Sequence, residues 1–153
     1  MNSVQLTPLE ALDALHDLRR KGLWTEELVA RLKTSVARGG LDRPVPSDGR
    51  REYLRRRYLC PLFLHKSFGC PLTNEAKPYG CLAFNPTRAG VRDGEACSTD
   101  RPLLEQREET SQDEAKEQAA LRARLTFDWE KRPLPVALLA ISAAMDHESA
   151  RQV

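Results

Sequence analysis

Apolar residues near the start of the chain return at helical spacing. Leu9, Leu12, Leu15 and Leu18 recur every third residue and predict an amphipathic helix. Thr7-Pro8-Leu9-Glu10 reads as a capping box ahead of it, with Pro at the first helical position. Arg19, Arg20 and Lys21 place positive charge in the last turn, where the helix dipole favours it, and Gly22 ends the helix. A second helix follows, capped by Thr25, with Glu26 and Glu27 in its first turn. Leu28, Val29, Leu32 and Val36 form its expected buried face, and Gly39-Gly40 stops it. Only Leu23 and Trp24 connect the two, so residues 1–41 are expected to form an antiparallel helical hairpin.

The pattern then changes. Asp42 to Gly49 reads as a linker broken by Pro44, Pro46 and Gly49. A short basic helix is expected from Arg50 to about Leu59, carrying Arg50, Arg51, Arg55, Arg56 and Arg57 against a single Glu52. From Cys60 to Cys97 prolines and glycines interrupt every periodicity, and a loop of that length needs something to hold it. Helical patterning returns near Thr99 or Asp100 and is expected to run unbroken to about Leu125. Pro133-Leu134-Pro135 separates it from a last helix, Val136 to about Ala150. That helix begins apolar on nearly every face, so burial in the core or against a protein partner is expected. The fold class is therefore mainly α: an N-terminal helical hairpin (1–41), an irregular cysteine-anchored middle (42–100) and two C-terminal helices (101–153), forming one domain.

Composition narrows the function. The 153 residues carry 24 Lys and Arg against 22 Asp and Glu. A net charge of +2 does not by itself imply nucleic-acid or membrane binding. No stretch approaches the roughly 18 apolar residues of a membrane span. The residues Met1 to Thr7 lack the basic start and apolar run of a secretory signal, so a cytoplasmic location is expected. In that compartment four cysteines point to thiols or a metal site more than to disulfides.

Cys60, Cys70, Cys81 and Cys97 all fall in the loop-rich middle, separated by nine, ten and fifteen residues. Four thiolates suit a tetrahedral zinc or a cubane iron–sulfur cluster. No pair forms the short knuckle usual for zinc, and the corners of a [4Fe-4S] cluster tolerate widely spaced ligands better, so the cluster is favoured over zinc. Gly69 and Gly80 precede two of the cysteines and permit close backbone approach to sulfur. Cys97 lies just ahead of an expected helix N-terminus, which favours its thiolate. Burial as small apolar residues, or disulfide pairing, are the competing readings.

The words around these cysteines carry a resemblance. Cys60-Pro61-Leu62-Phe63-Leu64, Gly69-Cys70-Pro71-Leu72 and Lys77-Pro78-Tyr79-Gly80-Cys81-Leu82-Ala83-Phe84-Asn85-Pro86 together resemble the YkgJ-like family, described as a zinc- or iron-chelating domain. The resemblance spans Cys60 to Pro86 and implies that Cys60, Cys70 and Cys81 match family cysteines, with Cys97 as a fourth ligand from outside the motif. The family's dense N-terminal cysteine cluster has no counterpart here. Lys77 and Leu82 stand where Arg is usual, and Asn74 takes a Tyr position.

Other candidates are weaker. His65 lies between two cysteines and is read as a surface residue or one supporting a ligand, while His16 and His147 read as solvated. A Cys60 or Cys70 pair with His65 lacks a third catalytic residue, and Gly39-Gly40 lacks the context of a phosphate loop, so no enzyme is inferred. The basic cluster interleaved with Tyr53 and Tyr58 has the look of a phosphate-contacting helix. Pairing with the acidic stretch Glu105 to Glu117, within the chain or between subunits, is the preferred reading, and nucleic-acid binding is not expected.

Overall fold

The structure is a computed structural model, and it describes residues 4–43, 58–63, 69–83 and 100–151. The chain is mainly α-helical, as expected. A two-residue strand β1 (Gln5–Leu6) leads into α1 (Pro8–Arg20). The capping box is formed as read. The Thr7 hydroxyl accepts from the Glu10 N–H, and the Glu10 carboxylate accepts from the Thr7 N–H. The buried face of α1 differs from the leucine stripe. Ala11, Ala14, Leu15 and Leu18 are each at most 1% exposed, whereas Leu9 and Leu12 are half-buried. Spacing of three drifts by about 60° per step around a helix of 3.6 residues per turn, so four such leucines cannot share one narrow face. The two alanines complete it instead.

The second helix, α2 (Glu26–Gly39), is capped by the Thr25 hydroxyl at the Leu28 N–H and ends on Gly40 at φ 53°. The N–H of Leu41 reaches back to the Val36 carbonyl, and its side chain folds over the helix end at 4% exposure. A methyl group at Gly39 would stand 2.8 Å from that side chain, which explains the paired glycines. Leu28 and Leu32 are buried, while Val29 and Val36 are half-buried.

The expected hairpin is not organised by contact between its own two helices. The last helix, α6 (Leu134–Arg151), is the main packing partner of both α1 and α2. Leu134, Ala137, Leu138 and Ile141 of α6 are at most 1% exposed and join Leu6, Leu15, Leu18, Leu28 and Leu32 in one core. Each such leucine or isoleucine contributes on the order of 1.5–3 kcal/mol by leaving water. The apolar run of the last helix is thus taken up inside the chain, where α1 and α2 both face it. The same core reaches the middle of the sequence through Leu62 and Leu72.

One expectation needs correction, and one element was not anticipated. The helix expected to run unbroken to Leu125 is two: α4 (Arg101–Glu109) and α5 (Ser111–Leu125). Thr110 lies between them, its hydroxyl bonded back to the Gln106 and Arg107 carbonyls. That back-bonding competes with regular helix and permits the bend. The other surprise is β2 (Arg132–Pro133), which pairs antiparallel with β1 in the register Gln5–Pro133 and Leu6–Arg132. A two-residue strand holding a proline leaves no alternation to read in sequence. Between Asp100 and β2, Asp100 caps α4 at the Leu103 N–H. Arg132 lies over the Trp129 ring at 5.2 Å. Among the described residues one more helix occurs, the single turn α3 (Tyr79–Leu82), which carries Cys81.

Candidate thiol segment and its polar anchors

The middle segment is pinned across α1 at two places by charged side chains. At one end Asp17, only 5% exposed, gathers three donors. Its Oδ2 accepts the Thr73 N–H at 3.0 Å and meets the Lys21 ammonium at 2.8 Å, while Oδ1 accepts from Arg20 at 2.6 Å. Lys21 also donates to the Pro71 carbonyl at 2.6 Å. The turn that begins at Thr73 is closed locally, by Ala76 N–H to Thr73 and Lys77 N–H to the Asn74 carbonyl. Asn74 in turn bridges Lys77 and Asp100.

Burial alone would raise the Asp17 pKa. The bonds from Lys21, Arg20 and the Thr73 amide outweigh it and lower the value from 3.8 to about 2. A carboxylate with a depressed folded-state pKa stabilises the fold above its unfolded pKa, and the contribution disappears as the pH falls through the folded value. Asp17 is therefore expected to contribute up to about 2 kcal/mol at neutral pH, lost between about pH 4 and pH 2. Urea unfolding across that range checks this. The wild-type chain should lose stability more steeply than Asp17→Asn, and parallel curves would contradict the assignment.

At the other end, Glu10 does more than cap α1. Its Oε1 accepts the Tyr79 N–H at 2.7 Å and a bond from Arg107 at 3.2 Å. Arg107 spends the rest of its guanidinium on the Lys77 carbonyl and on both oxygens of Glu114. It thereby ties α1, the middle segment, α4 and α5 together with a planar fork of five donors. Burial opposes its charge, but Glu114 and Glu10 outweigh that and raise its pKa further. Tyr79 lies beneath the guanidinium at 6.0 Å and donates its phenol to Glu108 at 2.8 Å.

The cysteines sit around these anchors. Cys70 precedes the Asp17-bound stretch, is half-buried and packs on the core. Cys81 follows Tyr79 in α3 and is buried at 8% exposure. Cys60 is half-buried beside Tyr58. The Tyr58 phenol donates to the Val4 carbonyl and accepts the Leu134 N–H, both at 3.1 Å, so it clips β1 to the start of α6. Burial raises the Tyr58 pKa, and Cys60 and Cys81 raise it further, against the lowering effect of the Leu134 N–H.

Cys97, His65 and the basic cluster Arg50 to Arg57 lie outside the described residues. His16 and His147 are exposed, as read. Among the described residues no three His, Cys, Asp or Glu side chains are gathered as a metal-holding group. Also among them, no helix is long and apolar enough to cross a membrane. Sequence reasoning missed Asp17, Arg107 and Tyr58. Asp17 carried a signal, because Glu10, Ala14 and Asp17 fall at i, i+4 and i+7 and so on the buried face. Arg107 looked like one charge in a polar helix, and Tyr58 like part of a basic cluster.

Fold and segment together define a small helical protein with a thiol-bearing segment strapped over its first helix. Comparison with family models, curated proteins and solved structures finds no match.

Proposed function

We propose that this chain is a small metal-binding protein, not itself an enzyme, whose centre is held by Cys60, Cys70, Cys81 and Cys97. An iron–sulfur cluster is favoured over zinc, with a structural, electron-carrying or redox-sensing role in the cytoplasm. The observation that carries the reading is that three cysteines spread over 22 residues lie in or against the folded core: Cys60 and Cys70 pack on it and Cys81 is buried. Thiolates are the soft donors that such centres use, and the resemblance of Cys60 to Pro86 to the YkgJ-like family agrees with them. On this reading the described cysteines supply three of the four ligands and Cys97 the fourth, and metal binding would contribute folding energy. A cluster, when bound, supplies one-electron chemistry or a rigid cross-link. The protein's own part is to exclude water at Cys81 and fix the segment through Glu10 and Asp17.

Metal analysis of anaerobically purified protein tests this. A brown protein containing iron and acid-labile sulfide, with both lost in Cys60→Ser and in Cys81→Ser, is the expected result. Stoichiometric zinc lost in the same variants would overturn the cluster and leave the zinc-stapled alternative. A metal-free wild-type chain, or variants that keep their metal, would overturn the reading as a whole.

A further inference from the structure

Among the described residues, no main-chain hydrogen bond joins residues 71–79 to α1, α2, α4, α5 or α6. Among the described residues their backbone–backbone bonds are all local: Ala76 to Thr73, Lys77 to Asn74, then Cys81, Leu82 and Ala83 to Pro78 or Tyr79. The hydrogen bonds that hold the segment from outside, among the described residues, all involve side chains. Asp17 and Lys21 grip Thr73 and Pro71 at one end, and Glu10 and Arg107 grip Tyr79 and Lys77 at the other. Between these grips it contributes few large apolar side chains, chiefly Leu72 and Pro78. Leu72 joins the core, but most of that core comes from α1, α2 and α6, with Leu15, Leu18, Leu32, Leu138 and Ile141 among its members. Segments with few apolar anchors open below the free energy of global unfolding.

We infer that residues 71–79 form a strap that opens as one unit while the helical core stays folded, and that this opening governs access to the thiol of Cys81. Cys70 and Cys81 stand at its two ends. Release of the strap moves Pro78, whose carbonyl accepts the Cys81 N–H, and so unseats the turn that carries Cys81; closure seats it again. The motion rests on the hydrogen-bond pattern alone; only its use in admitting a metal or a reagent rests on the thiolate reading.

Hydrogen exchange of the full chain as purified, read by residue, tests it. The Thr73 and Tyr79 amides should exchange faster than the Leu138 and Ile141 amides and respond less to low urea. Leu32→Ala, which weakens the core in both the closed and the strap-open state, should accelerate Leu138 and Ile141 and leave Thr73 and Tyr79 unchanged. Asp17→Asn loosens one grip only, yet should accelerate Thr73 and Tyr79 by one common factor of about tenfold, the worth of a charge-assisted bond. Iodoacetamide labelling of Cys81, located by peptide mass, should rise by that same factor. Acceleration of all four amides by Leu32→Ala would mean that the segment opens only by global unfolding. Acceleration of Thr73 alone in Asp17→Asn would mean fraying at one end, and either result overturns the strap. Cys81 labelling that ignores Asp17→Asn would overturn its control of the thiol. Metal content, measured separately, reports on the thiolate reading.

Discussion

Arg107→Ala is expected to destabilise the fold by about 3 kcal/mol, because it breaks a largely buried charge pair and leaves one partner behind. The side chains of Arg107 and Glu10 are 18% and 9% exposed, so water replaces little of what is lost. Glu10 would keep only the Thr7 and Tyr79 amides, and Glu114 and the Lys77 carbonyl would lose their donor. The same change frees three elements from one another, so the cost should not be confined to α4. Urea unfolding measures it. The double variant Arg107→Ala with Glu10→Gln should lie closer to wild type than the sum of the two single losses, since the stranded carboxylate is gone. A loss below about 1 kcal/mol in Arg107→Ala would place the residue among ordinary surface ion pairs.

The second large effect belongs to the core. Leu138→Ala is expected to cost about 2–5 kcal/mol, from lost transfer energy plus the cavity left where the surroundings cannot collapse. Leu138 is fully buried in the second turn of α6, the helix against which α1 and α2 both pack. A hole there loosens two interfaces at once. Ala143→Ser, on the exposed side of the same helix, is the control and should change stability by less than about 0.5 kcal/mol. Equal losses in the two variants would mean that α6 is not the central element.

How far the sequence could be read follows from the range of the forces involved. The start of α1 was legible because Thr7, Pro8 and Glu10 act within one turn. The end of α2 was legible because Gly40 takes a left-handed conformation that depends on its neighbours alone. The break at Thr110 was not, since the same back-bond from a hydroxyl occurs inside unbroken helices at Thr34 and Ser149. The β1–β2 pair was illegible for a plainer reason: two residues cannot show a period. In the thiol segment the cysteines announced themselves by clustering, yet nothing near them in sequence pointed to Asp17, Glu10 or Arg107.

By itself, then, the sequence determined the helical class, the caps, the stops and the apolar character of the last helix, because propensity, capping and periodicity act over a few residues. Only the tertiary structure decided that α6 would serve α1 and α2 together, that a capping glutamate would also hold Tyr79 and Arg107, and that the Tyr58 phenol would clip β1 to the start of α6. Those outcomes depend on groups far apart along the chain, and they exist only once burial has excluded water and made each polar partner necessary.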